Sequence, residues 1–261
     1  MKGPATYAEA SYRDRLQALV HDETEWLDVV CGHQLLPGWL RDSAADQRAL
    51  ATRCKRLVGI DAVAEDVAAH PYLHERVVGD IQRMPFPQGS FDLLTARSVI
   101  EHLESPERFL REVRRVLRPG GLFLFATPNQ LYYQCMVAAV TPDPWKRHLV
   151  HYLEERESRD VFRTYYRMNT LARVMRLATS EQIEIASLET VESLPEFGRL
   201  GGIVLGIEKG ITAALRHRRL ARFRAVILGV LRKPVATAMT DSSRALLRAR
   251  SVQESRKAGV A

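Results

Sequence analysis

Residues 77–103 have the sequence VVGDIQRMPFPQGSFDLLTARSVIEHL. This stretch contains the end of one short apolar run, Glu75–Asp80, and the whole of a second, Phe91–Ala96. Turn-forming residues separate the two runs, a pattern that is typical of buried strands. Because helix signals follow the second run, the stretch predicts an α/β domain with a parallel sheet.

The segment after this stretch contains the clearest helix signal in the chain. Ser105 can cap its first turn, and Pro106 suits the first helical position. Its apolar side chains fall on one face. They are Phe109, Leu110, Val113, Val116 and Leu117. Arg118-Pro119-Gly120-Gly121 is predicted to end the helix, and Leu122–Ala126 predicts a further strand.

The same alternation extends towards the N-terminus. An opening helix is predicted near Tyr7–Val20, although its apolar face is thin. Two short apolar runs, Trp26–Val30 and Arg56–Asp61, predict buried strands, and the first ends at Cys31-Gly32.

Residues 130–168 interrupt the alternation with a segment rich in tyrosine and histidine. We predict that this insertion is a lid over a binding crevice, because it follows the carboxyl end of a strand. The sequence then predicts, in order, a helix near Asn169–Leu177, a strand near Gln182–Glu189, a helix over Gly202–Arg218 and a last strand over Phe223–Leu231.

Composition argues against several classes of protein. Of the 261 residues, 46% are hydrophobic and 26% are charged, as in ordinary globular domains. No apolar run approaches the roughly 18 residues of a membrane-spanning helix. The N-terminus lacks the apolar core of a secretory signal. The three cysteines, Cys31, Cys54 and Cys135, form neither a disulfide framework nor a paired zinc-ligand pattern, so we expect a cytoplasmic protein.

The net charge of +7 belongs to the C-terminal end of the chain. Residues 211–261 contain 12 Lys and Arg against Asp241 and Glu254, a local charge of +10, which leaves −3 for residues 1–210. We predict one domain over residues 1–234 and a flexible basic tail over residues 235–261. Nucleic-acid binding would depend on that end alone, and no nucleic-acid partner is expected.

Acidic residues stand at the predicted ends of the first three strands. They are Asp28, Asp61 and Asp80. Strand ends in an open α/β sheet face the ligand crevice, where carboxylates suit a ligand rich in hydroxyl and amino groups and repel phosphate. The loop after the first strand lacks both the three glycines of a dinucleotide fingerprint and the Gly-Lys-Ser/Thr of a phosphate-binding loop. Nicotinamide and nucleoside-triphosphate chemistry are therefore not expected.

Four stretches together resemble the class I S-adenosylmethionine-dependent methyltransferases, in particular the small-molecule group that includes the quinone-biosynthesis enzymes. They are WLDVVCG (26–32), LVGID (57–61), the stretch 77–103 and REVRRVLRPGGLFLFATPN (111–129). The resemblance implies a Rossmann-like fold, with a seven-stranded mostly parallel sheet, helices on both faces and two final antiparallel strands. It also implies S-adenosylmethionine as the cofactor.

The resemblance also assigns roles to individual residues. Asp61, followed by Ala62, matches the acid that accepts both ribose hydroxyls, and Asp80 with Ile81 matches the pair that holds adenine. The methionine part is matched by Asp28 and the loop residues Val30, Cys31 and Gly32. Arg97 and Ser98 would lie near the transferring methyl group.

One departure from the family pattern concerns the loop after the first strand. Where the family has glycine-x-glycine-x-glycine, this chain has Val30, Gly32 and Gln34. Valine is stiff and occupies space that glycine leaves open. Either the strand end is extended enough to tolerate Val30, with the cofactor somewhat displaced, or affinity is badly reduced. Our hypothesis is weakened binding.

Methyl transfer needs a base only if the acceptor must first lose a proton. The candidate catalytic residues are His102, beside Glu101, and His148 and His151 in the insertion. A packed or solvated role is the alternative for each. Glu101-His102 resembles part of a metal-binding Glu-x-x-Glu-His pattern, but Ser98 occupies the first ligand position, so no metal is expected.

The helix over Gly202–Arg218 has two interpretations. A stripe of Ile203, Ile207, Ile211 and Leu215 packs on the sheet, or it rests on an anionic membrane surface and reaches a lipid-linked acceptor. The main functional prediction is methylation of a small-molecule acceptor, at the hydroxyl of a sugar, a lipid-linked molecule or a natural product. The alternatives are a degenerate binding or scaffold module, indicated by Val30 and Gln34, and an RNA methyltransferase that uses the basic tail. The oligomeric state is not predicted.

Overall fold

The structure is a computed structural model that describes residues 7–32, 34–36, 43–140, 163–193 and 201–235. His148, His151, most of the predicted lid and the tail beyond residue 235 lie outside the described residues. The predictions made for them, and the predicted domain boundaries, stay predictions.

The described residues form a seven-stranded sheet in the order β3-β2-β1-β4-β5-β7-β6. The strands are β1 (Glu25–Val29), β2 (Arg56–Asp61), β3 (Glu75–Val78), β4 (Phe91–Arg97), β5 (Leu117–Pro128), β6 (Glu184–Val191) and β7 (Val226–Arg232). The first five strands are parallel to one another, and β7 runs antiparallel to both β5 and β6. The predicted mostly parallel α/β sheet is confirmed, and the two final strands are antiparallel to each other as expected, with β7 the strand that reverses direction.

Helices cover both faces of the sheet, as predicted. They are α1 (Tyr7–Leu19), α2 (Ser43–Arg53), α3 (Ala64–Ala69), α4 (Pro106–Val116), α5 (Tyr133–Val140), α6 (Leu171–Ser180) and α7 (Gly202–Leu215), with short 3-10 turns at Ile100–His102 and Arg218–Phe223. One core cluster contains residues of α4 and α6, and a second contains residues of α1, α2 and α3. Alternate side chains of β1 enter the two clusters, since Trp26 packs in the second and Leu27 in the first.

The apolar stripe of α4 is confirmed for Phe109, Leu110, Val113 and Val116, which are all buried. Leu117, predicted as its last member, is also buried but is the first residue of β5. Ser105 is the N-cap residue, but its side chain makes no capping hydrogen bond. Its backbone, with φ −128° and ψ 77°, departs from the extended conformation of a side-chain cap. The predicted cap by the Ser105 hydroxyl is therefore wrong, although Pro106 does occupy the start of the helix.

Three predicted boundaries near the end of the sheet were also wrong. Arg118–Gly121, predicted to separate helix from strand, belongs to β5. The helix over Gly202–Arg218 ends earlier, at Leu215, because a 3-10 turn follows. That turn occupies Arg218–Phe223, so the last strand begins at Val226 rather than Phe223.

No helix within the described ranges is long and apolar enough to cross a membrane. Because β1, β2, β3 and β4 are parallel, their carboxyl ends meet at one edge of the sheet. This edge positions the candidate site.

Candidate cofactor and acceptor site

The loop after β1 turns sharply at Val30. Val30 has a φ of +52° and Gly32 a φ of +48°, both in the left-handed region. The amide of Val30 donates to the carbonyl of Ile60 at 2.7 Å, and the amide of Cys31 donates to the same carbonyl at 3.4 Å. Of the two alternatives for this loop, the one with an extended strand end at Val30 is therefore wrong: β1 ends at Val29, and Val30 adopts the backbone conformation that glycine favours.

Asp61 ends β2 beside this loop and is only 4% exposed. Its two carboxylate oxygens accept from different amides, one from Gly32 at 3.2 Å and the other from Val63 at 3.0 Å. Its carbonyl accepts from the amide of Gly79 at 2.9 Å, which ties the end of β3 to the same point. Because each oxygen keeps a free lone pair, the oriented carboxylate can still accept two further hydrogen bonds.

Asp28 lies on β1 opposite Gly59 of β2 and Thr95 of β4, and it is 7% exposed. Burial raises the pKa of its carboxyl to about 7, against the lowering effects of a hydrogen bond from Thr95 and of the Arg97 charge; the negative charge of Asp61 adds to the rise. The Asp28 carboxyl is therefore close to half ionised at neutral pH.

Three residues that the sequence analysis did not identify, Thr95, Trp26 and Tyr12, surround the Asp28 carboxyl or its hydrogen-bond partner. The Thr95 hydroxyl donates to Asp28 and accepts from the indole nitrogen of Trp26 at 2.7 Å. Tyr12 of α1, 2% exposed, feels the charges of both Asp28 and Arg97. Thr95 could have been found as a polar residue within the buried run Phe91–Ala96. Tyr12 had no such signal, because α1 is far away in sequence.

Arg97 ends β4 close to Asp28, as the resemblance implies for a crevice residue. Among the described residues, its buried Nε has no hydrogen-bond partner. The next residue, Ser98, has a φ of +55°, and its amide donates to the carbonyl of Ala126 at 2.9 Å. The ends of β1 and β4 thus each carry a non-glycine residue in the left-handed region.

Asp80 and Ile81 follow the end of β3. Asp80 is exposed and accepts from the amide of Gln82 at 2.8 Å, whereas Ile81 is 9% exposed and packs in the core cluster with Ile60. Ala62 is exposed beside Asp61. A solvent-accessible carboxylate next to an apolar side chain matches the arrangement that the resemblance implies for the adenine position.

Asp92 is an acid of β4 that lies apart from the crevice acids. It lies at the start of β4, at the opposite edge of the sheet. There its carboxylate accepts from the amide of Glu25 at 3.1 Å and pairs with Arg118 at 2.7 Å.

A second polar group lies beyond the ends of β4 and β5. Glu101 is 5% exposed, and its carboxylate accepts from Thr127, which in turn accepts from the Asn169 amide. The imidazole of His102 is partly exposed, with Nε2 4.0 Å from Glu101 Oε1 and Nδ1 3.0 Å from the carbonyl of Arg163. The His102 ring is therefore partly exposed, with a polar neighbour at each of its two nitrogens, rather than fully packed.

The chain resembles known proteins over the region that builds this site. Residues 27–125 match the family model described as a methyltransferase domain. This region is a class I methyltransferase domain. The match includes Asp28, Asp61, Asp80 and Arg97, and the expected family is confirmed at this level. The quinone-biosynthesis subgroup stays a prediction.

Curated relatives agree with the family match. A protein of Mycolicibacterium smegmatis, named "Probable S-adenosylmethionine-dependent methyltransferase", is 38% identical over 88 residues, which is 32% of this chain and 34% of that protein. The malonyl-acyl-carrier-protein O-methyltransferase of Serratia marcescens is 31% identical over 107 residues, 41% of this chain and 39% of that protein. The chain thus spans about a third of the length of these relatives.

Solved structures agree with the fold. The crystal structure of the 4+2 cyclase SpnF superposes with a TM-score of 0.54 at 18% identity, over 89% of this chain and 85% of that one. At this identity the likeness concerns the methyltransferase fold alone, and that protein's title names a cyclase.

The first prediction for this domain concerns the strain at Val30. A β-branched residue in the left-handed region costs roughly 1–3 kcal/mol. We expect Val30→Gly to raise the free energy of unfolding by about 1 kcal/mol, since glycine's extra freedom in the unfolded chain offsets part of the gain. The matched control is Val78→Gly, because Val78 is 58% exposed at the end of β3 and lies outside the left-handed region. Urea unfolding of both variants is the measurement, and an equal loss of stability in the two would contradict the strain.

The second prediction concerns Asp28 and pH. Its native pKa of about 7 exceeds the ordinary value of 3.8, so between these pH values the folded state binds more protons than the unfolded one. This linkage makes the free energy of unfolding fall as pH rises from about 4 to about 7. Asp28→Asn removes the titration and should gain stability relative to wild type progressively between about pH 4 and about pH 7. Urea unfolding at each pH measures the difference, with Asp22→Asn as the control for an exposed carboxylate. If the difference in the free energy of unfolding between Asp28→Asn and wild type stays constant with pH, the raised pKa of Asp28 is wrong.

Proposed function

We propose that the chain is an S-adenosylmethionine-dependent methyltransferase that methylates a hydroxyl of a small-molecule acceptor. The observation that carries the proposal is the oriented pair of buried carboxylates, Asp28 and Asp61, at one sheet edge within the matched region 27–125. Acids at this edge suit a ligand with hydroxyl groups and positive charge.

The residues present fit the cofactor. Asp61 has the free lone pairs to accept two ribose hydroxyls, because backbone amides already fix the direction of both its oxygens. Exposed Asp80 and buried Ile81 provide an acceptor for an amine and an apolar surface for a ring. Asp28 can favour a cationic group by electrostatic attraction, and Arg97 brings a buried donor without a partner.

Val30 supports weakened rather than abolished binding. Its backbone already has the left-handed conformation of a glycine, so the turn itself keeps the shape needed for close approach. Its side chain is 39% exposed, and it takes up space that glycine would leave open.

In this mechanism the bound cofactor supplies an activated methyl group. The task of the chain is to align the acceptor with that group and to exclude water. Among the residues that the structure describes, His102 is the proposed catalytic base. With its Nδ1 proton donated to the Arg163 carbonyl, the Nε2 atom takes the acceptor's proton in this proposal, and nearby Glu101 stabilises the resulting imidazolium. His148 and His151 remain predicted alternatives.

The proposed acceptor class is supported by the name of one relative. The name of the Serratia marcescens relative specifies methylation at oxygen, which agrees with a hydroxyl acceptor. We propose no nucleic-acid partner, and the RNA methyltransferase alternative rests on a tail that the described residues do not include. A cytoplasmic location belongs to the same proposal, because Cys31, Cys54 and Cys135 are free thiols.

A second candidate function is a methyltransferase-fold module that binds without catalysing. The strained Val30 in the cofactor loop favours this candidate, since the family pattern has glycine there. The fold alone does not decide between the two, because one fold hosts many functions.

Calorimetry with S-adenosylhomocysteine tests cofactor binding. Asp61→Asn should weaken binding by about tenfold or more, because hydrogen bonds to a charged group contribute roughly 1.5–3 kcal/mol. Val30→Gly should tighten binding several-fold. Asp92→Asn is the matched control, since Asp92 lies at the opposite sheet edge. If neither wild type nor Val30→Gly binds, the proposed cofactor is wrong.

A screen of hydroxyl-containing acceptors by mass shift tests catalysis and separates the two candidates. Once an acceptor is found, His102→Gln should reduce turnover by about 10²–10⁴ and leave S-adenosylhomocysteine affinity unchanged. His21→Gln, on an exposed turn, is the control. Unchanged turnover in His102→Gln would remove His102 from the mechanism, and cofactor binding without any methylated product favours the non-catalytic module.

A further inference from the structure

The exposed side of α7 is unusually apolar. Gly202, Gly206 and Gly210 are spaced four residues apart, and a Cβ built on any of them would meet no atom within 4 Å. Beside this row, Ile203 is 83% exposed and Ile207 is 60% exposed. The prediction that the whole isoleucine stripe packs on the sheet is wrong for these two residues, since only its second half, Ile211 and Leu215, is partly or fully buried.

The orientation of α7 is fixed by contacts on its other side. Glu208 is 2% exposed and accepts a hydrogen bond from the Tyr133 hydroxyl of α5. Gln134 donates to the same carboxylate at 3.4 Å. Leu215 packs in a small cluster with Tyr132. Because a buried carboxylate holds this side inward, the helix cannot rotate to bury Ile203 and Ile207 without breaking these contacts.

A basic cluster adjoins the apolar side. It consists of the exposed residues Lys209, Arg216, Arg218, Arg219 and Arg222. Arg216 pairs with Glu192 at 3.6 Å, but the other four form no ion pair with any acid in the described residues. Leu220, 37% exposed, lies among them. The cluster therefore combines four basic residues that pair with no acid in the described ranges with exposed apolar side chains.

We propose that α7 and the turn Arg218–Phe223 dock on an anionic lipid surface. Exposed isoleucines can enter the boundary of the acyl chains, and arginine and lysine side chains beside them can pair with anionic headgroups. The glycine row lets the helix backbone approach the surface closely. Each basic residue near such a surface contributes about fivefold to partitioning, so four of them suffice for stable association when combined with apolar contacts.

Charge argues against a second copy of this chain as the occupant. In a parallel pairing of two α7 helices the basic clusters would lie side by side. In an antiparallel pairing each cluster, at the C-terminal end of its helix, would face the positive N-terminal end of the partner's helix dipole. Both arrangements are repulsive, whereas an anionic surface attracts every member of the cluster.

Docking also places the candidate site near the lipid. Leu215 of α7 packs in one cluster with Tyr132, which lies directly after β5. The last residue of β5, Pro128, pairs with Val226 at the edge of the sheet where the crevice lies. A lipid-linked acceptor would then reach the site from the membrane, an inference that rests on the proposed function. Docking itself does not depend on catalysis.

Vesicle co-sedimentation of the full chain tests the docking. Vesicles of phosphatidylcholine alone and vesicles with added phosphatidylglycerol are compared at low and at high salt. We expect at least tenfold stronger association with the anionic vesicles, reduced by salt. No association with anionic vesicles at low salt would overturn the proposal, whatever the outcome of cofactor calorimetry.

Two variants separate this surface from general attraction of a basic protein. Ile203→Gln with Ile207→Gln, and Arg218→Gln with Arg219→Gln and Arg222→Gln, should each reduce association about tenfold or more. The charge-matched control replaces exposed arginines on three other helices, Arg48, Arg108 and Arg176, with glutamine and should bind nearly as wild type. An equal loss in the control would overturn the assignment to α7. Analytical ultracentrifugation adds the last outcome: a dimer that the isoleucine variant dissociates would contradict a lipid occupant.

Discussion

The site depends on the hydrogen bonds that tie the loop after β1 to the end of β2. The carbonyl of Ile60 accepts from the amides of Val30 and Cys31, and the next residue along β2, Asp61, accepts from the amide of Gly32. These bonds draw three successive amides onto the neighbouring strand, which forces the chain to turn at Val30. The strain of valine in the left-handed region is therefore a consequence of the same contacts that orient the Asp61 carboxylate.

The electrostatics of the crevice are set by three charged side chains close together at the strand ends, namely Asp28, Asp61 and Arg97. Asp28 and Asp61 are both buried, and their mutual repulsion adds to the burial that disfavours a charge on Asp28. Arg97 offsets part of this cost without a hydrogen-bond partner for its Nε among the described residues. A crevice with excess negative charge and an unsatisfied donor favours a ligand that carries both cationic and carboxylate groups, as the methionine part of the proposed cofactor does.

The sequence was sufficient to predict the sheet and most of the crevice, because both are encoded locally. Apolar runs predicted β1, β2 and β4 to within about a residue. Once the end of a run is located, an acid at that end of the strand can be read directly from the sequence. Val30 was identified as a departure, but its left-handed φ depends on hydrogen bonds to Ile60, which the sequence does not reveal. Tyr12 and the Tyr133–Glu208 contact were missed for the same reason: each joins elements distant in the chain.

The most direct test of the central claim is the amide spectrum of the labelled full chain titrated with S-adenosylhomocysteine. The amides of Gly32, Val63 and Gln82 donate to the carboxylates of Asp61 and Asp80, so they report ligand contacts at those side chains. The account predicts that these three signals shift together along one binding curve, while the amide of Glu25, which donates to Asp92 at the opposite sheet edge, stays in place. Shifts confined to other regions of the chain, with these three signals unchanged at saturation, would contradict it.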